Sequence, residues 1–294
     1  MAKPNNDYVL GTEALEMHRL GVQHQVWSTE ANIAWKNAGF TAGMTILDLG
    51  CGPGFCTQEL AYITGKSGHV IGVDLSQKYI NFLERVSDLH NLEIETICAD
   101  FMDMNIEPNS LDGVYTRWAL AWLPNVKDVL QKVISAMKPG ATFAVQEYYD
   151  WTLLQTEPYR KNLYHATRQA RESMSDHGGN LDIGRKIPGL FHELGLEVIS
   201  TRHMTKQARS HEHDWNWPKS FFNTYLPKLV GMGKLTQKQV DIALSEFREL
   251  EDVPGATLQA PLMIVSEEGT QRIGYAITDT VWTTIHENKD NSED

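Results

Sequence analysis

The sequence of 294 residues predicts an α/β fold, in which a mostly parallel sheet carries helices on both faces. Two observations favour this fold. Between residues 44 and 147, short β-branched and apolar runs alternate with segments of helical spacing. Four of the five strands predicted there end at or next to a carboxylate. Because ligands of such sheets bind beyond the carboxyl ends of the strands, we expect the functional site at that edge.

The predicted elements follow one another regularly along the chain. A first helix is predicted over residues 12–38, strands over 45–49, 69–73, 92–98, 111–115 and 141–146, and helices over 55–63, 77–89 and 126–137. Lys138-Pro139-Gly140 is typical of a helix stop followed by a turn. Further on, we expect helices over 158–174 and 187–194, helical segments over 209–252, and strands over 197–201 and 262–266.

These elements divide the chain into a core and its additions. We expect a helical segment over 1–40, a ligand-binding core over 41–150, a helical insertion over 151–185, a return to the core over 186–208, a helical cover over 209–257, the last strand and the end of the core over 258–284, and a disordered tail over 285–294. Insertions of this length usually have a function. We therefore expect the cover to lie over a substrate, with hinges at Gly178-Gly179 and Gly231-Met232-Gly233.

The chain is organised around a glycine-rich turn after the first strand. Asp48 lies near the end of the strand, and Gly50, Gly52 and Gly54 follow before a helical pattern begins at Phe55. Glycine lets a turn bend sharply and lets a ligand approach the backbone. The start of a helix offers unpaired N–H groups and the positive end of its dipole. The turn therefore predicts a site for a polar or negatively charged group.

Two phosphate-binding motifs fit this turn poorly. The dinucleotide fingerprint G-x-G-x-x-G would need its third glycine at Phe55. The P-loop pattern is met only in its second half, Gly65-Lys66-Ser67, because Leu60 stands where the first glycine should be. That segment also follows a predicted helix instead of a strand.

The turn, written Asp48-Leu49-Gly50-Cys51-Gly52-Pro53-Gly54, resembles motif I of the class I S-adenosylmethionine-dependent methyltransferases, D/E-x-G-x-G-x-G. Asp74, Asp100 and Lys138-Pro139-Gly140 follow in the order of the family's later motifs, so that the resemblance covers about residues 40–147. It is nearest to the quinone-biosynthesis members, the type 11 methyltransferases, whose R-x-V-L-x-H-L-P segment resembles residues 117–124 with Trp122 in place of the histidine. The resemblance implies a Rossmann-like sheet of seven strands with an antiparallel last strand.

The resemblance also implies S-adenosyl-L-methionine as the cofactor. An ionised Asp74 can accept hydrogen bonds from both ribose hydroxyls, and Asp100 beside Phe101 suits the amine and the ring face of adenine. Alone, each acid would equally suit a helix N-cap. The N-terminal helix either packs on the body or folds over the cofactor, as the resemblance implies. The predicted cofactor-binding residues are Tyr8, Arg19 and Gln23 in that segment, together with Asp48, Gly50, Cys51, Gly52, Gly54, Asp74, Leu75, Asp100, Phe101 and Arg117.

Aromatic side chains follow the fourth and fifth strands, on the side where the methyl group should point. The predicted substrate-binding residues are Trp118, Trp122, Tyr148, Tyr149 and Trp151. Together with Trp215 and Trp217 of the cover, these rings either pack the insertions or wall a cavity for a flat apolar or cationic substrate. Glu147 is the predicted catalytic residue, as a base or as an amine-orienting group, and Gln146 should point to the opposite face of the strand.

Composition limits the class of partner. The 26 basic and 38 acidic residues leave a net charge of -12, which argues against nucleic acid. No run approaches about 18 apolar residues and the polar N-terminus has no signal core, so we expect no membrane contact and a cytoplasmic location. The spacing of the three cysteines indicates neither a disulfide framework nor a zinc site, and residues 211–214, His-Glu-His-Asp, are expected to be solvated without a metal. A homodimer is left open.

The predicted function is methyl transfer to nitrogen or oxygen, less readily to carbon, of a small aromatic or amine-containing molecule. In such a transfer the enzyme aligns and desolvates two reactants, and a base assists a hydroxyl acceptor. Two alternatives stay open. One is methylation of a protein or an RNA, against which the net charge of -12 and the cover argue. The other is nicotinamide-dependent oxidoreduction, against which the glycine spacing argues.

Overall fold

A seven-stranded sheet forms the core of the structure, a computed structural model that describes residues 14–176 and 178–270. The strands are β1 Thr45–Leu49, β2 His69–Asp74, β3 Ile94–Cys98, β4 Leu111–Arg117, β5 Met137–Asp150, β6 Gln155–Glu157, β7 Leu196–Met204, β8 Gln207–Arg209, β9 Thr257–Gln259 and β10 Leu262–Thr270. The helices are α1 Ala14–Asn37, α2 Phe55–Thr64, α3 Gln77–His90, α4 Val126–Ala136, α5 Lys161–Ser175, α6 Ile187–Glu193, α7 Asn216–Tyr225, α8 Lys228–Gly231 and α9 Gln237–Glu251.

The order of the strands explains where a ligand can enter. The sheet runs β3-β2-β1-β4-β5-β10-β7, with β1 to β5 parallel and β10 antiparallel to both β5 and β7. This confirms the predicted Rossmann-like sheet with its antiparallel last strand. Because β2 lies on one side of β1 and β4 on the other, the strand order reverses there and opens a crevice at the carboxyl ends of the two central strands.

Apolar side chains on both faces of the sheet explain why helices cover it on both sides. Ile46 and Leu47 are neighbours in β1 and fully buried, and they point to opposite faces. Ile46 packs in a cluster with Trp35 of α1 and Leu60 of α2. Leu47 packs in a cluster with Leu130 of α4. Burial on both faces is typical of parallel strands.

The turn at Lys138-Pro139-Gly140, which the sequence predicts before the fifth strand, lies inside that strand, β5. Leu111 of β4 pairs with Met137, but Gly113 pairs with Thr142, so β5 bulges at Lys138-Pro139-Gly140. The glycine of this bulge has φ of 83°. The sequence shows the turn, but the strand begins before it and runs on to Asp150, which corrects both predicted boundaries.

The two insertions contain a small sheet as well as helices. β6, β9 and β8 form an antiparallel sheet of three strands, in which β9 is central. α5 packs against α9, and α7 packs against α1. β6 lies in the predicted helical insertion, and β8 and β9 lie at the two ends of the predicted helical cover, so both predictions are corrected to one structure that contains strands as well as helices. Strands of three residues are too short to show an alternating pattern in the sequence.

Two predictions lie outside the described residues. α1 begins at Ala14, so the predicted start of the helix at Thr12 and the residue Tyr8 are not described. The same holds for residues 271–294, which include the predicted tail.

The described ranges contain free thiols but neither a membrane-spanning helix nor a cluster of metal ligands. No helix there is long and apolar enough to cross a bilayer. Nor do 14–176 and 178–270 contain a group of three or more His, Cys, Asp or Glu side chains placed to hold a metal ion. Cys51 and Cys56 are buried free thiols, and Cys98 is an exposed one.

Candidate functional site

A large cavity lies at the carboxyl ends of the central strands, with a volume of about 1320 Å³. Its polar part is lined by the glycine turn after β1 and by Asp74 and Asp100, which follow in β2 and after β3. Its aromatic part is lined by side chains from the segments after β4 and β5 and from α7. α1 contributes Arg19 and Gln23. The cavity thus offers two different chemical environments side by side.

The glycines of the turn have different roles. Gly52 has φ of 54° and Gly54 has φ of 82°. A side chain at Gly52 would meet no protein atom within 4 Å, so its absence leaves room for a ligand in the cavity that Gly52 lines. A side chain at Gly54 would overlap Leu83 of α3, and Gly54 does not line the cavity. Gly54 therefore serves close packing, which corrects its predicted place among the ligand-binding residues.

Asp74 ties the glycine turn to the start of α3. Its Oδ2 accepts a hydrogen bond from the N–H of Gly52 at 2.9 Å, and its Oδ1 accepts one from the N–H of Ser76 at 2.8 Å. Burial raises the pKa of Asp74, although these two hydrogen bonds oppose the rise. Each carboxylate oxygen has a further lone pair. The carboxylate can therefore hold the turn and still accept hydrogen bonds from a ligand.

Asp48 lies in β1, two residues before the first glycine of the turn. Its Oδ2 accepts a hydrogen bond from the hydroxyl of Thr57 in α2 at 2.7 Å, and only 2% of the residue is exposed. Burial raises the pKa of Asp48 to about 6, against the effects of Thr57 and of nearby Arg117. Asp48 thus joins β1 to α2 and borders the polar part from below.

The other side of the polar part is formed after β2 and β3. Leu75, Asp100 and Phe101 line it, and Oδ1 of the exposed Asp100 accepts a hydrogen bond from the N–H of Met102 at 2.9 Å. An exposed carboxylate next to apolar side chains suits a flat heterocycle that carries an amine. The structure therefore places these predicted residues together, and their contact with a ligand stays a prediction.

Arg117, at the end of β4, brings a positive charge to the polar part. Its Nη2 lies 3.2 Å from Nδ1 of His24, and its guanidinium lies 5.1 Å from the centre of the Trp118 ring. Its Nη1 is buried and has no hydrogen-bond partner in the part of the chain that the structure describes. A buried donor without a partner beside a cavity suits an anionic group of a ligand.

Hydrogen bonds connect α1 to the cover across the cavity. Arg19 donates to Glu16 at 2.8 and 2.7 Å and to Oε1 of Gln23 at 2.7 Å. The same oxygen of Gln23 accepts a hydrogen bond from Nε1 of Trp217 in α7 at 3.2 Å. Arg19 and Gln23 thus line the cavity and join it to the cover, and their contact with a cofactor stays a prediction.

The aromatic part is a continuous wall of rings. This aromatic wall consists of Trp118, Tyr148, Trp151, Trp217, Phe221 and Phe222. Trp118 stacks on Tyr148 with ring centres 5.5 Å apart, and Tyr148 meets Trp151 edge to face at 5.3 Å. Trp151 in turn meets Phe221 at 5.8 Å. Edge-to-face and stacked rings at these distances attract one another, so the wall is held in shape.

The backbone of the wall is strained at Trp118. This residue has φ of 53°, a conformation that is uncommon for bulky side chains. Nε1 of Trp122, which also lines the cavity, donates a hydrogen bond to the carbonyl oxygen of Trp118 at 2.6 Å. Strain of this kind persists only where the surroundings hold it, and it is commonest at ligand sites.

Glu147 does not face the cavity, which corrects its predicted contact with substrate. It is fully buried, and its Oε1 accepts hydrogen bonds from the N–H groups of Leu120 at 2.7 Å and Ala121 at 3.3 Å. Burial raises its pKa to about 8, against the effect of these backbone N–H groups. Gln146 is also turned away from the cavity and accepts a hydrogen bond from the hydroxyl of Tyr115. Glu147 therefore supports the turn that carries Trp118.

Tyr149 and Trp215 also lie outside the cavity. Tyr149 meets His203 of β7 at 4.7 Å and lies under the guanidinium of Arg185 at 4.9 Å. Trp215 stacks on Phe247 of α9 at 4.9 Å. Neighbouring residues of a strand point to opposite faces, so only Tyr148 of the tyrosine pair lines the cavity. The predicted substrate role of Tyr149 is corrected to packing against β7.

The sequence interpretation missed several lining residues of the insertion and of the cover. Phe221 and Phe222 of α7 complete the aromatic wall, and Leu154 and Met174 border it. A signal was present, because Trp217 and Phe221 are four residues apart and share one face of a helix. Which face meets the cavity depends on the packing of α7 on α1, and the spacing alone does not show it.

Known proteins resemble this chain in sequence. A family model described as a methyltransferase domain matches residues 40–194. A sterol 24-C-methyltransferase from Gibberella zeae is 28% identical over 215 residues, which cover 70% of this chain and 49% of that protein. A demethylmenaquinone methyltransferase from Oceanobacillus iheyensis is 29% identical over 143 residues, which cover 48% of this chain and 58% of that protein. The chain spans about half the length of the sterol methyltransferases that it matches.

Solved structures share the fold. Phosphoethanolamine N-methyltransferase 2 from Haemonchus contortus, solved with S-adenosyl-L-methionine, has a TM-score of 0.55 at 17% identity and covers 86% of this chain and 57% of its own. The cyclase SpnF has a TM-score of 0.52 at 13% identity, covering 82% of this chain and 79% of its own. At such identities the likeness shows the fold alone. The matched domain spans more than half of the sequence and holds the glycine turn, Asp74, Asp100 and Arg117, and the chain therefore belongs to the class I S-adenosylmethionine-dependent methyltransferases.

Proposed function

We propose that this protein transfers the methyl group of S-adenosyl-L-methionine to a large, mainly apolar small molecule. The cavity carries this proposal, because about 1320 Å³ exceeds the roughly 300–1,000 Å³ of a site for one drug-sized ligand. Its polar part and its aromatic wall differ in chemistry, as the sites for a cofactor and an apolar acceptor would. Holding both molecules in one desolvated space supplies much of what such a transfer needs.

The residues of the polar part fit the cofactor. Asp74 has lone pairs for the ribose hydroxyls, and Gly52 leaves open space beside it. Asp100 and Phe101 suit the adenine. The buried Nη1 of Arg117, without a partner among the described residues, suits the carboxylate. When bound, the cofactor supplies a methyl group on a positively charged sulfonium.

The aromatic wall supports an apolar acceptor. The carboxylates that line the cavity within the described ranges are Asp48, Asp74, Asp100 and Asp103, and all of them belong to the polar part at the ends of β1, β2 and β3. A hydroxyl acceptor would need a base, and the described wall offers no carboxylate for that role. The rings exclude water and attract positive charge through their faces. An uncharged amine nitrogen needs no base for the transfer itself. An electron-rich carbon becomes cationic when it is methylated and must then release a proton to water or to a base, and the rings can stabilise that cation through their faces.

Relatives support the size and polarity of the acceptor and widen the choice of atom. Their names refer to sterols and to demethylmenaquinone, which are large and mainly apolar. The sterol enzymes are named as carbon methyltransferases, so carbon is a stronger candidate here than the sequence indicates. We propose nitrogen or carbon as the accepting atom and place oxygen last.

The cover favours a small molecule over a protein or an RNA. The hydrogen bond between Gln23 and Trp217 closes α1 against α7 beside the cavity. The walls of the aromatic part are largely buried, with Trp151 at 4% and Trp217 at 6% exposure. A macromolecular side chain or base would have to pass this cover, whereas a free molecule enters when it opens.

The test begins with small molecules that copurify with the protein, identified by mass spectrometry after denaturation, and assays each with radiolabelled S-adenosyl-L-methionine. Trp151→Ala should lower transfer at least about tenfold while S-adenosylhomocysteine binding stays within about twofold, because the ring contacts the acceptor part alone. Tyr149→Ala is the matched control and should keep full activity, since Tyr149 lies outside the cavity. Label appearing only in protein or RNA, or equal activity of the two variants, would contradict the proposal.

A further inference from the structure

Three side chains connect the polar part of the cavity to the surface. Nη2 of Arg117 lies 3.2 Å from Nδ1 of His24, and Nε2 of His24 lies 3.0 Å from Oε1 of Glu59. Arg117 belongs to β4, His24 to α1 and Glu59 to α2, so the three elements around the glycine turn are joined. Of these three residues, Arg117 alone lines the cavity.

The groups around His24 decide which of its nitrogens carries the hydrogen. A guanidinium only donates, so Nδ1 must accept from Arg117. The thiol of Cys56 also lies 3.6 Å from this nitrogen, but it donates its one hydrogen to the hydroxyl of Tyr115, which leaves the single lone pair of Nδ1 for Arg117. A carboxylate only accepts, and Nε2 therefore carries the hydrogen and donates to Glu59. In this arrangement His24 is a neutral imidazole with an assigned tautomer.

The ring of His24 is held from several sides. It stacks on Phe55 with ring centres 5.8 Å apart and an angle of 24°, and the residue is 8% exposed. Glu59 fixes its far nitrogen. Nδ1 is therefore a fixed acceptor, and its bond with Nη2 limits the rotation of the Arg117 guanidinium. Because a guanidinium is planar, fixing one nitrogen also orients the other, and Nη1 is the one without a partner in the described chain.

We propose that His24 is a positioning residue for the cofactor: it accepts a hydrogen bond from Nη2 of Arg117 and thereby aims Nη1 at the carboxylate of S-adenosyl-L-methionine. This inference rests on the proposed function, because it requires the cofactor in the polar part. His24 itself touches no ligand. The competing account is that Arg117 only balances the charges of the buried Asp48 and the half-exposed Glu59, which needs no particular orientation.

Two ligands separate these accounts by calorimetry. S-adenosylhomocysteine has the carboxylate, whereas 5′-methylthioadenosine has the same adenosine and thioether without it. His24→Leu removes the acceptor and should weaken S-adenosylhomocysteine about tenfold while changing 5′-methylthioadenosine by less than about twofold. His24→Asn brings an amide oxygen near the position of Nδ1, so it should keep S-adenosylhomocysteine affinity within about threefold.

His69→Leu is the matched control. His69 is a half-buried histidine at the start of β2 whose Nε2 lies 3.2 Å from Glu95, it does not line the cavity, and its replacement should change neither affinity. Equal weakening of both ligands by His24→Leu would make His24 a general packing residue and overturn the proposal, as would no weakening at all. If the unchanged protein binds neither ligand at millimolar concentration, the proposed function fails and this inference fails with it. If it binds both equally well, only this inference fails.

Discussion

Asp74 combines two tasks in one side chain. Its oxygens accept hydrogen bonds from the N–H groups of Gly52 and Ser76, and the residue also lines the cavity. Removing the carboxylate therefore loosens the turn and also removes ligand hydrogen bonds, each worth about 1.5–3 kcal/mol when charge-assisted.

We expect Asp74→Ala to weaken S-adenosylhomocysteine binding at least tenfold, or about 1.4 kcal/mol. Asp74→Asn keeps one acceptor oxygen, and its affinity for S-adenosylhomocysteine should lie between those of the unchanged protein and Asp74→Ala. Calorimetry measures the affinities, and circular dichroism checks the fold. Asp88→Ala, at an exposed position of α3, is the control. An unchanged dissociation constant for Asp74→Ala would mean that this carboxylate serves the turn alone.

Glu147 makes stability depend on pH. Its pKa rises from the ordinary value of 4.5 to about 8 because the side chain is buried. Between these values the folded protein holds a proton that the unfolded chain has released, so this contribution to stability is fully present below about pH 4.5. It is lost as the pH rises towards 8, by at most about 1.4 kcal/mol per pH unit.

Glu147→Gln, which stays neutral and keeps an acceptor for Leu120, should therefore lose less thermal stability than the unchanged protein between pH 5 and pH 8. Burial also raises the pKa of Asp48 to about 6 and of Glu268 to about 8, but both proteins share these groups and the difference isolates Glu147. Thermal unfolding at several pH values measures the effect. Glu107→Gln, on an exposed segment, should follow the unchanged protein. Parallel curves for Glu147→Gln would contradict the assigned protonation.

Secondary-structure elements meet closely behind the aromatic wall. The N–H of Asn180 donates to the carbonyl oxygen of Ala121 at 2.8 Å, and a side chain at Gly179 would overlap that oxygen. The segment after α5 is thus packed against the turn after β4. Gly179 serves this close approach, which argues against its predicted use as a hinge.

We expect Gly179→Ala to destabilise the protein by about 1–3 kcal/mol, because the turn that carries Trp118 and Trp122 must shift. Gly189→Ala, in α6, meets no atom within 4 Å and should stabilise the helix by up to about 1 kcal/mol. Denaturant unfolding of both variants measures the effects. Equal free energies of unfolding for Gly179→Ala and Gly189→Ala would show that the turn after β4 can shift without destabilising the protein.

In the whole molecule, the cavity lies between a rigid sheet and a cover of mixed structure. α7 lines the cavity and is bound to α1 through Trp217 and Gln23, whereas α9 packs behind it on α5. Ligand binding should therefore restrain the two helices differently. The homodimer that the sequence analysis left open stays a prediction.

Hydrogen exchange in residues 216–225 should slow at least about threefold when S-adenosylhomocysteine and the acceptor are both bound. Opening α7 then costs more free energy, because it breaks contacts with the ligands as well as those within the aromatic wall. Residues 237–251 of α9 are the internal control and should change little. Mass spectrometry of peptic peptides measures both segments in one experiment. Equal exchange of 216–225 with and without ligands would make the cover an ordinary packed region.

Most of the sheet and the polar part of the site were predictable from the sequence. Buried parallel strands are continuous apolar runs, and the glycine turn and the acids at the strand ends have local signatures. The small sheet of β6, β8 and β9 was not predictable, because its strands have three residues each and pair across long intervals of sequence. The start of β5 was missed because a bulge contains the turn that normally ends a strand.

The sequence by itself determined the order of the strands and helices of the main sheet and the position of the glycine turn, because both follow from local spacing and from backbone conformations that few residues adopt. Only the tertiary structure decided which side chains face the cavity. Glu147 and Tyr149 lie next to Tyr148 in the chain but point elsewhere, since the register of β5 with β4 and β10 fixes their directions. Trp217 donates a hydrogen bond to Gln23, which lies 194 residues earlier in the sequence. Packing between such distant elements has no local signature in the sequence.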